Sequence, residues 1–119
     1  MARYGAQFGP DITFLGVPAI DLDDSEALAA ADVVIVGAPF DGGTSYRAGA
    51  RFGPSAIRGT DYLPHDGSRP SLAMRTDGLK DMVVVDAGDV EMFSGDAEKS
   101  CASLETAIEK VAKAEIGRA

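Results

Sequence analysis

Two short runs of apolar, mostly β-branched residues, Val33–Val36 and Met82–Val85, set the strongest constraint on how this chain can fold. Neither alternates apolar with polar residues, so each predicts a strand covered on both faces, as in parallel sheets. Parallel strands need a crossover, and the stretch between the runs supplies one. Pro54 suits the first turn of a helix through Ile57 and Arg58, because proline lacks the N–H that a first turn leaves unpaired. A right-handed crossover puts that helix on one face between two neighbouring parallel strands. After the second run, Asp86 to Asp89 are expected as a loop. Then Ala97, Cys101, Leu104, Ile108 and Val111 form one apolar helical stripe. Ser94 or Asp96 can cap that helix and Gly117 can end it. The order strand, loop and short helix, strand, helix is the opening of an α/β parallel sheet. Two strands alone make a poor sheet, so a third is expected beyond Gly117, with Val33–Val36 in the middle. The isolated 119 residues are therefore expected to self-associate, aggregate or need the remainder of a larger domain.

Residues 1–22 show no sustained period. Glycines and prolines break them up, while Tyr4, Phe8, Ile12, Phe14 and Leu15 are apolar, so they predict an arm with anchors laid against the body. Residues 23–119 form the rest of the same domain. Asp23, Asp24 and Ser25 precede Glu26 and an Ala/Leu run, the signal of a short helix start. Residues 59–80 carry turn chemistry. The formal charge is −8, with acid spread along the chain, which argues against nucleic acid and anionic membranes as partners. No apolar run approaches the length of a membrane span, and no basic-then-apolar leader opens the sequence. A single cysteine, Cys101, excludes an internal disulfide and suits a reducing cytoplasm. Its place on the apolar stripe predicts a buried core thiol.

The richest chemistry lies between Gly37 and Arg58, in a loop at the carboxyl end of the first strand, where open α/β sheets bind ligands. Asp41, Ser45, Arg47 and Arg51 are the candidate pocket residues. Gly37, Gly42, Gly43 and Thr44 approach a phosphate-binding loop, but the lysine is missing and Asp41 would face the anion. Arg47 and Arg51 have two readings. They can meet a substrate carboxylate at a pocket mouth, or pair with Asp41, Asp86 or Asp89 to stiffen the loop. Asp86, Asp89 and Glu91 are clustered acids and His65 is the sole imidazole. Three carboxylates on one turn fall short of a two-metal site, so Asp86 and Asp89 are expected to accept backbone N–H groups and His65 to sit in a solvated loop.

The string Gly37, Pro39, Asp41, Thr44 or Ser45, Arg47, Gly49 to Arg51, Gly53, Pro54, Ile57 and Arg58 resembles the ureohydrolase (arginase and agmatinase) family, in its agmatinase-like branch. Val85-Asp86-Ala87-Gly88-Asp89-Val90 is similar to that family's second strand end. Tyr4, Thr13-Phe14 and Pro18 are similar to the N-terminal arm of its guanidino-acid hydrolases. The resemblance implies a three-layer arginase-like fold and hydrolysis of a guanidino C–N bond to urea, with two Mn²⁺ ions activating a bridging water. The family's metal-ligand segments, G-G-D-H, D-A-H-x-D and D-x-D, do not occur here. The chain therefore resembles the N-terminal third of a ureohydrolase, with no catalytic or metal-binding residue expected in it and no metal bound by it alone. Leu15-Gly16 stand where the guanidino-acid hydrolases tend to have Met-Arg, which tilts the implied substrate towards an amine such as agmatine. The implied partners are a small guanidino substrate and either the remainder of the enzyme or further copies. Two other readings are a non-catalytic binding or assembly subunit, using the arm and loop as an interface, and a small nucleotide-binding module.

Overall fold

The computed structural model describes residues 12–59, 70–71, 74–77 and 80–116. Tyr4, His65 and Gly117 lie outside them. The elements are α1 (Ser25–Ala30), β1 (Val33–Gly37), α2 (Gly53–Arg58), β2 (Pro70–Ser71), β3 (Thr76–Asp77), β4 (Val84–Asp89) and α3 (Ala97–Ile116). β1 and β4 pair in parallel, with Val33 opposite Val84, Val34 opposite Val85 and Ile35 opposite Asp86. The two β-branched runs thus become neighbouring strands of one sheet, the α/β arrangement that their composition predicts. β2 and β3 form a small antiparallel ladder. No described helix is long and apolar enough to cross a membrane.

The second strand departs from expectation at both ends. It starts at Val84, because Met82 and Val83 are exposed. Asp32 anchors this lead-in by accepting the Val83 N–H through Oδ2 at 2.8 Å, while its own N–H donates to the Val83 carbonyl. The strand then runs through Asp86 to Asp89, expected as loop, because both edges find partners there. Gly37 continues the β1 ladder opposite Asp89 after an irregularity between Ile35 and Gly37. On the other edge Ala19 forms a single parallel bridge to Asp86. Gly88 takes φ +75°, a conformation that glycine adopts freely.

The described part of the arm, residues 12–20, is held against β4, with Val17 buried in place of the expected anchors; Ile12, Phe14 and Leu15 are half-buried, and Tyr4 and Phe8 lie outside the described residues. Its Phe14–Gly16 segment is a tight turn in which Leu15 has φ 52°. Val17 is buried, and two backbone hydrogen bonds follow: Asp86 N–H to the Pro18 carbonyl at 2.9 Å, and Ile20 N–H to the Asp86 carbonyl at 3.0 Å. Asp24 caps α1 by accepting the Ala27 N–H, and Pro54 sits in the first turn of α2. α1 packs against α3.

Val17, Leu28, Ala31, Val84, Val85, Val90 and Ala107 form the core of the described residues. Consecutive Val84 and Val85 are both buried, so β4 is covered on both faces. β1 is not: Val33 is 40% exposed and Val34 to Val36 are half-buried. Among the described residues its outer edge pairs with no strand. Beside it lies an open groove of about 480 Å³, bordered by Leu28, Ala31, Val33, Ile108 and Val111.

α3 also corrects the expectation. Asp96 caps it, accepting the Lys99 N–H at 2.9 Å, but its buried face runs through Ser100 and Ala107 rather than the apolar stripe. Cys101 is exposed, not a core thiol, and Ile108 is 50% exposed. The cause is Ser100. Its Oγ accepts the Phe93 N–H at 2.9 Å and donates to the Asp96 carbonyl, which pins the first turn and rotates the stripe outwards.

A Cβ at Gly37 would overlap the Asp89 carboxylate and stand 3.1 Å from Pro54 Cβ. At Gly43 a Cβ meets nothing within 4 Å. Gly37→Ala should therefore destabilise the protein by about 1–3 kcal/mol, because the carboxylate must leave its partners, whereas Gly43→Ala should stay within about 0.5 kcal/mol. Urea denaturation of the two variants checks this, and equal stabilities would contradict the close approach.

Candidate functional site

The loop after β1 leaves the carboxyl end of the parallel pair and is held shut by one side chain. Asp41, with 8% of its side chain exposed, accepts the Gly49 N–H at 2.8 Å and the Arg51 N–H at 3.3 Å. Its other partner is the Arg51 guanidinium, with Nη1 3.1 Å from Oδ2. Burial opposes its charge, but the Arg51 and Gly49 N–H groups and the Arg51 cation outweigh that and hold the carboxyl below its ordinary range. Asp41 and Arg51 are thus occupied in closing the loop, the stiffening alternative open for Arg51. Ser45 is exposed, and Arg47 lies with Cζ 5.2 Å from the centroid of the Tyr46 ring, itself 84% exposed. The four candidate pocket residues therefore split into a clasp, Asp41 with Arg51, and an outward-facing pair, Ser45 and Arg47.

The densest polar centre lies behind the loop, at the carboxyl half of β4. Asp86 is 2% exposed, and each of its oxygens takes two donors. Oδ2 accepts Arg58 Nε and the Phe14 N–H, both at 2.9 Å. Oδ1 accepts Arg58 Nη2 at 3.0 Å and the Gly88 N–H at 2.8 Å. The third arm of the guanidinium, Nη1, reaches Asp89 Oδ1. Asp86 thus accepts backbone N–H groups as expected, while Asp89 is an ion-pair partner. Burial pushes the Asp86 carboxyl up, yet the Arg58 and backbone donors win and hold it below the usual carboxylate range. Hydrogen bonding to Asp86 raises the pKa of Arg58 in turn. Arg58 belongs to the glycine-rich motif, but spacing alone does not give it this role. The available signal was a charged residue at the end of a short helix, across the crossover from a strand end that carries Asp86 and Asp89.

Two grooves flank this centre. One of about 480 Å³ is lined by Ile12, Thr13, Ser55, Arg58, Asp86 and Gly88. A wider one of about 850 Å³ runs between the arm, the strand end and α3, past Asp23, Glu91, Phe93 and Lys110. Asp41, Ser45, Arg47 and Arg51 line neither. Among the described residues no group of three or more His, Cys, Asp or Glu is placed to hold a metal ion. Asp86 has no oxygen left unclaimed, so the residues here do not fit a manganese centre and no metal-assisted step follows from them.

A carboxyl depressed in the folded state contributes stability above its unfolded pKa of about 3.9, and that contribution is lost as pH falls through the folded value. Asp86 should therefore leave stability unchanged from neutrality to about pH 5 and erode it below about pH 4. Asp86→Asn should cost on the order of 3 kcal/mol at neutral pH, by leaving Arg58 short of an anion, and should show a shallower acid loss. Parallel acid-loss curves for the two proteins in denaturant titrations would refute this role.

Comparison with known proteins agrees with this geometry. The Arginase family model matches residues 31–117. Over 62 residues, 51% of this chain and 18% of the relative, the sequence is 52% identical to proclavaminate amidinohydrolase of Streptomyces clavuligerus. Over 83 residues, 68% of this chain and 26% of the relative, it is 45% identical to the agmatinase of Edwardsiella ictaluri. The solved structure of the Streptomyces clavuligerus amidinohydrolase superposes with a TM-score of 0.72 at 30% identity, covering 92% of this chain and 34% of that one. The chain thus spans about a third or less of the relatives it matches, and the match carries the parallel pair, the loop and Asp86 together: this chain belongs to the arginase family.

Proposed function

We propose that these residues supply the N-terminal part of an agmatinase-like ureohydrolase, which hydrolyses a guanidino C–N bond to release urea. The observation that carries this reading is the continuous match across β1, the glycine-rich loop, α2, β4 and α3, shared with amidinohydrolases and agmatinases. In that reaction water adds to the guanidinium carbon and the amine departs. The carbon is a poor electrophile, and a binuclear manganese centre, if the complete enzyme holds one, would supply water activation there. Its ligands would belong to segments outside this chain, in keeping with the saturated state of Asp86.

On this reading the chain's own part is structural. Arg58 and Asp86 fix the strand end, and the Asp41–Arg51 clasp presents Ser45 and Arg47 towards an approaching substrate. Gly16 in place of the arginine expected in guanidino-acid hydrolases favours an amine such as agmatine. The edge of β1 that pairs with no strand among the described residues, and the groove beside it, suit further parallel strands of the same domain, and complete copies would assemble as homo-oligomers in the cytoplasm.

The test is urea release from agmatine with Mn²⁺. The 119-residue chain alone should give none above a no-enzyme blank. A chimera in which it replaces the matching segment of the Edwardsiella ictaluri agmatinase should release urea. Turnover by the chain alone, or a folded chimera without activity, would overturn the proposal.

A further inference from the structure

The arm from Ile12 to Ile20 separates the two grooves. Ala19 and Ile20 line both of them, as do Ala87 and Asp89 on the strand opposite. The arm is thus a partition laid across the carboxyl half of β4, and three hydrogen bonds tie it to one residue there, Asp86. Phe14 N–H donates to the Asp86 carboxylate, Asp86 N–H donates to the Pro18 carbonyl, and Ile20 N–H donates to the Asp86 carbonyl. The ladder there is a single bridge. The turn before it holds Leu15 at φ 52°, a left-handed conformation that costs a γ-branched residue some energy. Burial of Val17 keeps the arm down at rest.

We infer that the arm is a strap buckled by Asp86, that Arg58 holds the buckle closed, and that release of the strap joins the two grooves into one cleft. Arg58 is a positioning residue in this device. Its fork takes one donor site on each Asp86 oxygen, which leaves the other site on Oδ2 for Phe14 and on Oδ1 for Gly88. Without the fork, a buried carboxylate turns towards water and gives up the Phe14 N–H. α2 is continuous with the glycine-rich loop through a short 3-10 turn at Ala50–Phe52, and α2 also touches the arm's own turn. A displacement of the loop that carries α2 with it therefore reaches the arm through Arg58. The helix cap of α3 and the β1–β4 pairing from Val33–Val84 to Ile35–Asp86 are made by residues outside the strap. Arm opening is a local event on the scale of sub-global unfolding. This inference stands apart from the ureohydrolase proposal, since it concerns a motion of this chain and no reaction.

Hydrogen exchange read by mass spectrometry tests it on the 119-residue protein or, where that chain aggregates, on the same residues within the chimera with the Edwardsiella ictaluri agmatinase. In Arg58→Ala, peptides covering residues 12–20 should exchange about tenfold faster or more, while peptides from α3 keep wild-type rates. Arg58→Lys keeps the charge without the fork and should fall between the two. Unchanged exchange in the arm of Arg58→Ala would overturn the inference. So would arm and α3 accelerating together in both variants, because the arm would then open only with the whole fold. If Arg58→Ala unfolds entirely, selective acceleration of the arm in Arg58→Lys still supports it, and its absence there overturns it.

Discussion

The structure hangs on a buried carboxylate that is never short of a partner. Asp86 sits at 2% exposure with four donors on two oxygens. They come from the arm, from α2 and from its own strand. A buried charge is costly unless paired and hydrogen-bonded, so this one specifies where three segments must meet. Its backbone takes part as well, receiving the arm on the outer edge of β4. Gly37 belongs to the same arrangement, because only a residue without a Cβ lets β1 pass so close to Asp89 and leaves that acid for Arg58.

Much of the skeleton was legible in the sequence, for identifiable reasons. Val33–Val36 and Val84–Val85 lack alternation, and parallel pairing followed. Pro54 and Asp96 marked helix starts through chemistry that acts within one turn. Local signals of this kind survive without knowledge of the rest. What failed was non-local. The continuation of β4 through Asp86 to Asp89 depends on an arm more than sixty residues earlier in the chain finding its outer edge. The buried face of α3 depends on Ser100 reaching back to Phe93, which outweighs the apolar stripe through Cys101 and Ile108.

The candidate site shows the same division. Spacing identified a glycine-rich loop with Asp41, Ser45, Arg47 and Arg51 as its candidate pocket residues, and left open whether the two arginines serve a ligand or the loop. In the structure Asp41 binds the Gly49 N–H and the Arg51 guanidinium, contacts that form only when the chain folds back on itself. Arg58 escaped notice because its partners lie across a crossover. A guanidinium that satisfies two carboxylates from one strand cannot be distinguished, by spacing alone, from a solvated arginine at a helix end.

The outward rotation of α3 has a practical consequence. It sets the sole thiol of the chain, Cys101, in a shallow apolar trough with Leu104, Ile108 and Ala112, edged by Glu105 and Glu109. That trough shares Ile108 and Ala112 with the groove beside β1. A thiol-reactive dye therefore has a single address on this chain, at the border of the groove beside β1. Its labelling rate becomes a built-in gauge of how far any larger assembly encloses that groove.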